Sequence, residues 1–135
     1  MIRGSCLCGR VKFQIHGKLG RASHCHCSMC RKAHGAAFGS YAAVRAVDFR
    51  VVAGEELILR YKSSPGVERT FCSRCGSTLQ FISQKNPGMV EVALGVLDDD
   101  PGIKVPRHIF VASKAPWFEI ADGLPQFPES SVKKA

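Results

Sequence analysis

The chain has 135 residues, with 19 Lys and Arg against 11 Asp and Glu, a formal net charge of +8 and seven cysteines. This length is typical of one domain, and 45% hydrophobic residues suffice for a core, which excludes bulk disorder. No apolar run approaches the roughly 18 residues of a membrane span, and the N-terminus lacks a secretory apolar segment. We therefore predict a cytoplasmic protein with one domain over residues 1–128 and a frayed polar tail over residues 129–135.

Short runs rich in Val, Ile, Phe and Tyr predict strands along most of the chain. In chain order, these strands are residues 11–15, 38–44, 49–52, 57–61, 67–71, 78–82, 89–96 and 109–111. One short helix is predicted over residues 29–37, where Gly35 limits its length. Trp117, the only tryptophan, is expected to pack in the core, with a substrate wall as the alternative. The pattern indicates an all-β fold of antiparallel strands with little helix.

The cysteines fall into three clusters, which are Cys6 and Cys8, then Cys25, Cys27 and Cys30, then Cys72 and Cys75. Seven is an odd number, so disulfides alone would leave one thiol over. Closely spaced cysteines in a chain without an export signal indicate metal binding or redox chemistry.

The first and last clusters together predict a structural zinc site. The spacing Cys72-x-x-Cys75-Gly76 can place two sulfurs on one ion, and Cys6-x-Cys8-Gly9 is a tighter version of the same turn. Four thiolates would complete a tetrahedron and contribute folding free energy. The alternative is a redox pair at Cys72 and Cys75, but that motif begins a helix, whereas a strand is predicted to follow here.

The middle cluster supplies three sulfurs within six residues, which predicts a zinc site with an open fourth position. An open position distinguishes catalytic zinc sites from structural ones, so Cys25, Cys27 and Cys30 are the candidate catalytic residues. Alternatively a histidine closes the site, or the cluster binds no metal. The candidate closing residues are His24, His26 and His34, although His26 is expected to point away from the ion.

A zinc ion held by three thiolates carries net charge −1 and is a weak Lewis acid for a carbonyl group. It can still accept a further thiol and promote its deprotonation to a nucleophile. Arg31 and Lys32 would then attract the carboxylates of a small anionic thiol, unless they only form a solvated helix face.

This order of motifs resembles the glutathione-dependent formaldehyde-activating enzyme family, which includes centromere protein V. The segments that carry the resemblance are Cys6-x-Cys8, residues 25–32, residues 71–76, residues 109–118 and residues 124–127. The resemblance implies a zinc-containing fold of several coiled antiparallel sheets. It also implies a structural zinc on the residues matching Cys6, Cys8, Cys72 and Cys75, and a catalytic zinc on those matching Cys25, Cys27 and Cys30.

The family activity is the addition of glutathione to formaldehyde, which gives S-hydroxymethylglutathione and is a carbon–sulfur lyase reaction in reverse. The segment from His34 to Phe38 resembles the large group of relatives without an assigned substrate. The resemblance therefore implies a lyase acting on a glutathione–aldehyde adduct or a related small thiol, and it leaves the thiol open.

A second class of function follows from the charge. Residues 1–47 contain eight basic residues and no acidic one, which suggests an anionic partner such as nucleic acid. Seven thiolates on two zinc ions would lower the formal charge from +8 to +5, and no aromatic residues alternate with these cations as in a stacking platform. Nucleic acid is thus disfavoured, a thiol or metal sensor is a further alternative, and the oligomeric state is left open.

Overall fold

The computed structural model describes residues 1–130, which contain ten strands in two sheets and one α-helix. The strands are β1 (Ile2–Ser5), β2 (Lys12–Ile15), β3 (Ala22–Cys25), β4 (Gly39–Arg45), β5 (Phe49–Ala53), β6 (Ile58–Ser64), β7 (Val67–Cys72), β8 (Thr78–Ser83), β9 (Met89–Ala93) and β10 (His108–Ile109). The helix α1 spans Ser28–His34. Short 3₁₀ turns cover Ala46–Asp48, Glu55–Leu57, Leu94–Val96 and Val111–Ser113.

The predicted fold class is confirmed, since the chain is mostly β-sheet with one short helix. Two strands were not predicted, β1 and β3, because neither shows the alternating run of large apolar residues that marks the other strands. One pairing also differs from the antiparallel expectation: β10 lies parallel to β3, with His108 opposite His24 and Ile109 opposite Cys25.

The chain folds into two compact units. Unit 1 comprises residues 1–21 and 42–103, and unit 2 comprises residues 22–41 and the segment from Lys104 onward. The single domain over residues 1–128 stays a prediction. Of the tail predicted over residues 129–135, residues 131–135 lie outside the described part of the chain, and the carbonyl of Glu129 accepts a hydrogen bond from Phe110 N–H (2.9 Å).

Unit 1 contains an antiparallel sheet in the order β1-β2-β5 and an antiparallel meander of β6, β7, β8 and β9. The alternation of β2 buries Phe13 and Ile15 while Lys12 faces solvent. Phe13 stacks on Phe49 with ring centroids 4.6 Å apart. A Cβ added to Gly4 would lie 2.1 Å from the Phe13 ring, so only glycine fits on β1 opposite this side chain.

The hydrophobic core of unit 1 includes one cysteine from each of the two pairs that form the predicted structural zinc site. Its buried members are Cys6, Val11, Phe13, Ile15, Val44, Cys72, Leu79, Val90 and Val92. Two cysteines of the site are thus part of the hydrophobic core, which ties the position of the cluster to the packing of the unit.

Unit 2 contains the parallel pair β3–β10, helix α1 and the irregular segment after β10. Helix α1 begins after Cys27 and ends at Gly35, which has φ +59° and forms the left-handed C-cap. The prediction of a short helix limited by Gly35 is confirmed. The helix ends at His34, whereas the prediction extended it to residue 37. The strand-to-helix connection places the middle cysteine cluster at the end of β3.

Candidate metal centres

The four cysteines of unit 1 come together as predicted, with their sulfur atoms within 4.8 Å of one another. Cys6 Sγ lies 3.5 Å from Cys8 Sγ, and Cys8 Sγ lies 3.9 Å from Cys72 Sγ. A tetrahedral ion with bonds of about 2.3 Å to sulfur requires sulfur–sulfur separations of about 3.8 Å. The separations therefore fit a tetrahedral thiolate site such as zinc prefers.

Two glycine turns shape this cluster. Gly9 has φ +78° and its N–H donates to the carbonyl of Cys6 (3.0 Å), while Gly76 has φ +81° and its N–H donates to the carbonyl of Cys72 (2.7 Å). Only glycine adopts this left-handed backbone without strain. The turns also leave N–H groups to face sulfur, and Val11 N–H donates to Cys6 Sγ (3.3 Å).

Ser77 joins the two turns. Its hydroxyl accepts a hydrogen bond from Leu7 N–H (2.8 Å) and lies 3.3 Å from Cys75 Sγ. Hydrogen bonds from the hydroxyl and the backbone N–H of Ser77 lower the pKa of Cys75 to about 5. A thiolate is the metal-binding form of cysteine, so the hydrogen bonds of Ser77 favour the form of Cys75 that binds a cation. Ser77 was not predicted as part of the site, because the spacing of the cysteines does not show that residues 7 and 77 are in contact.

The three cysteines of unit 2 also come together, with their sulfurs within 4.8 Å of one another. Cys25 ends β3, Cys27 is the N-cap of α1 and Cys30 lies in the first turn, where its N–H donates to Cys27 Sγ (3.3 Å). Cys25 and Cys30 are buried, whereas Cys27 is partly exposed. Cys27 is therefore the most accessible of the three cysteines.

Among the described residues, no histidine or carboxylate belongs to this three-cysteine group. Each histidine that could have closed the site has another partner. His24 Nδ1 lies 2.7 Å from Ser40 Oγ, and His34 Nε2 lies 2.7 Å from Tyr41 Oη. Among the described residues, this group therefore offers a metal ion three thiols and no fourth protein ligand.

The electrostatics of the three thiols favour a cation. Hydrogen bonds with Cys27 and Cys30, followed by burial, raise the pKa of Cys25 well above its usual range. Three neighbouring thiolates repel one another, and a divalent cation is the group that relieves this repulsion. The donor set of each cluster thus fits a zinc ion, and both clusters could hold a metal ion.

A chain of hydrogen bonds leads away from His26, the residue between Cys25 and Cys27. His26 Nε2 lies 2.8 Å from His108 Nδ1, and His108 Nε2 lies 2.8 Å from Asp122 Oδ2. His26 points away from the cysteine cluster, as expected, and His108 is a core histidine with both ring nitrogens bonded. The sequence analysis did not find Asp122, because a lone aspartate in a Gly-containing segment carries no distinguishing pattern.

The prediction that Trp117 packs in the core is wrong. Its side chain is 69% exposed and lines an open cavity of about 480 Å³ with Lys114, Pro116, Phe118, Glu119, Ile120 and Gln126. The adjacent Phe118 takes the inward position and packs against Phe38 and His26 (ring centroids 5.6 and 6.2 Å). Phe118 is partly buried whereas Trp117 is exposed, and composition does not show which of the two neighbours packs inward.

Some of the basic residues near the N-terminus have acidic partners in unit 1. Arg3 forms a bidentate pair with Asp99 (2.9 and 3.0 Å), and Arg45 pairs with Asp48 (3.0 Å). These charges are locally compensated, which weakens the case for a polyanion partner. Among the described residues, none of the helices is both long and apolar enough to cross a membrane.

The β-rich fold with one four-thiol and one three-thiol cluster is that of a thiol-rich protein with two groups of cysteines that could hold metal ions. The family model "Glutathione-dependent formaldehyde-activating enzyme" matches residues 1–113. A protein of Halomonas elongata, whose name carries a provisional assignment as a glutathione-dependent formaldehyde-activating enzyme, is 34% identical over 134 residues, covering 89% of this chain and 81% of its own length. The chain belongs to the glutathione-dependent formaldehyde-activating enzyme family.

Two further similarities support this membership. An uncharacterized lyase of Schizosaccharomyces pombe is 26% identical over 134 residues, covering 98% of this chain and 94% of its own length. A crystal structure of a Rhodobacter sphaeroides protein matches with a TM-score of 0.61 and 29% identity over 76% of this chain and 90% of that one. The predicted family and the predicted class of enzyme, a carbon–sulfur lyase, are thereby confirmed.

Proposed function

We propose that this protein is a zinc-dependent carbon–sulfur lyase that interconverts a glutathione–aldehyde adduct, such as S-hydroxymethylglutathione, with the free thiol and aldehyde. The proposal assigns a structural zinc to Cys6, Cys8, Cys72 and Cys75. It assigns a catalytic zinc to Cys25, Cys27 and Cys30, and it places the enzyme in the cytoplasm.

The observation that carries this proposal is the difference in ligand number between the two clusters. One cluster offers four sulfurs and the other three, and in the second cluster the nearby histidines are engaged elsewhere. A closed tetrahedron suits a structural role, whereas an open position suits a site that exchanges ligands. Small thiols are the soft ligands that match a thiolate-bound zinc.

The chemistry requires a thiolate next to an aldehyde. In the synthetic direction the sulfur of the thiol bonds to the aldehyde carbon, and the thiol proton ends on the aldehyde oxygen; cleavage reverses both changes. Zinc bound by three thiolates would supply an open position where a further thiol loses its proton more readily. The protein's own part is to hold three sulfurs at fixed positions and to leave one side of the cluster accessible at Cys27.

Positive charge near the cluster would help to recruit an anionic thiol. Arg31 follows Cys30 in α1 and points its Nε toward the carbonyl of His26 (3.4 Å), while Lys32 is exposed. A tripeptide thiol with two carboxylates would be attracted by these cations, most strongly at low salt.

The first test counts metal. Purified protein is expected to contain two zinc ions per chain, and Cys27→Ala to contain one while remaining folded by circular dichroism. Met29→Ala is the matched control, since Met29 lies in the same helix turn with its side chain exposed. A single zinc ion in the wild-type protein would contradict the proposal of a catalytic zinc.

The second test measures ligand binding and turnover. Calorimetric titration with millimolar glutathione is expected to give heat with the wild-type protein and none with Cys27→Ala. Exchange between S-hydroxymethylglutathione and formaldehyde, followed by NMR, is expected to accelerate above the uncatalysed rate with the wild-type protein only. Absence of both effects would remove glutathione as the thiol. Binding of an oligonucleotide that weakens steeply with salt would instead favour the nucleic-acid alternative.

A further inference from the structure

The hydrogen-bonded chain Asp122–His108–His26 is the most completely built polar group of unit 2 that the proposed function does not use. Its two histidine side chains are almost fully buried, with exposures of 0% for His26 and 1% for His108. Both bonds are 2.8 Å long. A buried polar side chain without hydrogen-bond partners destabilises the fold, whereas a connected group of hydrogen-bonded side chains makes the surrounding structure more rigid.

The bonding pattern determines where the ring protons lie. A carboxylate only accepts hydrogen bonds, so His108 carries a proton on Nε2 and donates it to Asp122. In a neutral His108 the Nδ1 atom is then an acceptor, and His26 must donate from Nε2. His26 Nδ1 is left as a bare lone pair.

That lone pair is unusual, because it is buried and finds no hydrogen-bond partner among the described residues 1–130. The His26 ring also packs against Phe38 and Phe118, with ring centroids 5.0 and 6.2 Å apart. The unpartnered nitrogen shows that the ring is held by its Nε2 bond and its packing.

Further hydrogen bonds to the backbone hold both ends of the group Asp122–His108–His26. Asp122 Oδ1 accepts a hydrogen bond from Leu124 N–H (3.0 Å), which leaves Oδ2 for His108. At the other end, the backbone N–H of His26 donates to the backbone carbonyl of Ile109 (2.9 Å). The backbone and the ring of His26 are thus both fixed, and the residues on either side of it are Cys25 and Cys27.

We propose that Asp122 and His108 are positioning residues for the three-cysteine cluster. Acting through His26, they fix the ring as the tautomer with its proton on Nε2 and hold the Cys25–Cys27 turn in the geometry that brings three sulfurs together. Neither residue touches substrate. The proposal rests on the proposed function only for the consequence in catalysis, since the tautomer and the metal retention of the cluster can be measured without it.

The variant Asp122→Asn tests the tautomer directly. The oxygen of the new amide would keep the bond from Leu124 N–H, so the amide nitrogen would take the place of Oδ2 and donate to His108 Nε2. Both ring protons must then move to Nδ1, as happens when an amide replaces a carboxylate beside a histidine. The side chain of Asp122 is 44% exposed, so we expect this isosteric variant to fold.

The first readout is long-range ¹H–¹⁵N NMR of the metal-loaded, ¹⁵N-labelled protein at constant pH. Wild-type protein is expected to show protons on Nε2 of His26 and His108, and Asp122→Asn to show them on Nδ1. A His26 proton on Nδ1 in the wild-type protein, or unchanged tautomers in the variant, would overturn the proposal.

The second readout is the rate of metal release to a chromophoric chelator. Release from the three-cysteine cluster is expected to be about tenfold faster in Asp122→Asn, because partners behind a metal site change its affinity by 10–100-fold. Release from the four-cysteine cluster serves as the internal control and is expected to stay unchanged. Asp122→Glu, which keeps a carboxylate, is expected to restore slow release at least partly, and Asp48→Asn, in the other unit, to have no effect.

Two outcomes separate the possibilities. Equally faster metal release from both clusters, together with a lower melting temperature, would show that the hydrogen bonds of Asp122, His108 and His26 only stabilise the fold. That result would overturn the positioning role. Altered tautomers and selective metal release in a protein that does not act on S-hydroxymethylglutathione would keep the positioning role and reject the proposed function.

Discussion

The two cysteine clusters use the same residue type and differ in how the chain brings the sulfurs together. In unit 1, two glycine turns from distant parts of the sequence meet, and Ser77 joins them. In unit 2, one strand end and one helix turn supply three sulfurs from six consecutive residues. A metal ion on the first cluster would connect distant parts of the sequence, whereas one on the second would connect residues of a single short segment.

The two clusters therefore differ in what a bound metal ion would do. An ion on the first cluster would close a loop of more than 60 residues, which would constrain the unfolded chain and make metal binding part of folding. An ion on the second cluster, within one short segment, would contribute little of this kind, and an open fourth position would leave room for a ligand.

The largest effect is expected for Cys72→Ala. Cys72 is fully buried in the core of unit 1, so its loss removes both a ligand and core packing. Structural zinc binding is worth on the order of 10 kcal/mol in small domains. We expect no cooperative thermal unfolding transition by circular dichroism, whereas Cys27→Ala should retain one. A normal transition in Cys72→Ala would reject a structural role for this cluster.

Metal removal should distinguish the clusters in time. With a chelator in excess, the metal at the three-cysteine cluster is expected to leave first, because its open position admits a competing ligand. Its release should cause little change in secondary structure. Release of the second equivalent should coincide with unfolding, as followed by absorbance of the chelator complex and circular dichroism on the same sample. Simultaneous release of both equivalents would remove the distinction.

A smaller effect is expected for Gly76→Ala, which strains the turn after Cys75. The left-handed backbone at φ +81° costs an alanine about 1–2 kcal/mol. We expect a corresponding loss of unfolding free energy in urea titrations. Gly95→Ala is the matched control, since Gly95 has no positive φ and nothing lies within 4 Å of the added Cβ. Equal stability of the two variants would show that the turn is not strained by alanine.

The smallest effect concerns the attachment of β1, the strand that leads into Cys6. Hydrogen bonds from the side chain and backbone of Arg3 lower the pKa of Asp99 to about 2. A depressed carboxyl pKa adds stability above the unfolded value near 3.9, and this stability is lost as pH falls from about 4 to about 2. The pair is exposed, so we expect only a slight difference in melting temperature between wild type and Asp99→Asn.

The control for this last prediction is pH itself. The difference between wild type and Asp99→Asn should be present at pH 6 and should diminish as the pH falls from about 4 to about 2, because Asp99 becomes progressively protonated over this range. A difference that does not diminish over this range would mean that the substitution acts through something other than the ion pair with Arg3.

The spacing of the cysteines and the alternation of apolar residues predicted the two groups of cysteines and several of the strands. Lys12 to Ile15 alternate as a half-buried strand should, and β2 occupies those positions. A C-x-C-x-x-C segment can bring three sulfurs together within one loop, so the local geometry follows from chain connectivity. Gly35 likewise limits the helix through its own backbone preference.

The failures have a common physical cause. Trp117 and Phe118 are both large aromatic residues, and it is Phe118 that packs against Phe38 and is partly buried, while Trp117 is exposed. Strand β3 is made of residues with low strand propensity, and its pairing with β10 determines its conformation. In both cases the outcome depends on groups that are far away in the sequence.

The fold class, the two groups of cysteines and the lack of a fourth sulfur in the middle group could be predicted because they depend on residue type and short-range spacing. The contact between Ser77 and Leu7, and the hydrogen bonds that join Asp122 and His108 to His26, form only in the folded protein. These contacts join residues 70 or more positions apart, or depend on the fold of an irregular segment. Local propensity carries no information about such contacts, so they become visible only when the chain is folded.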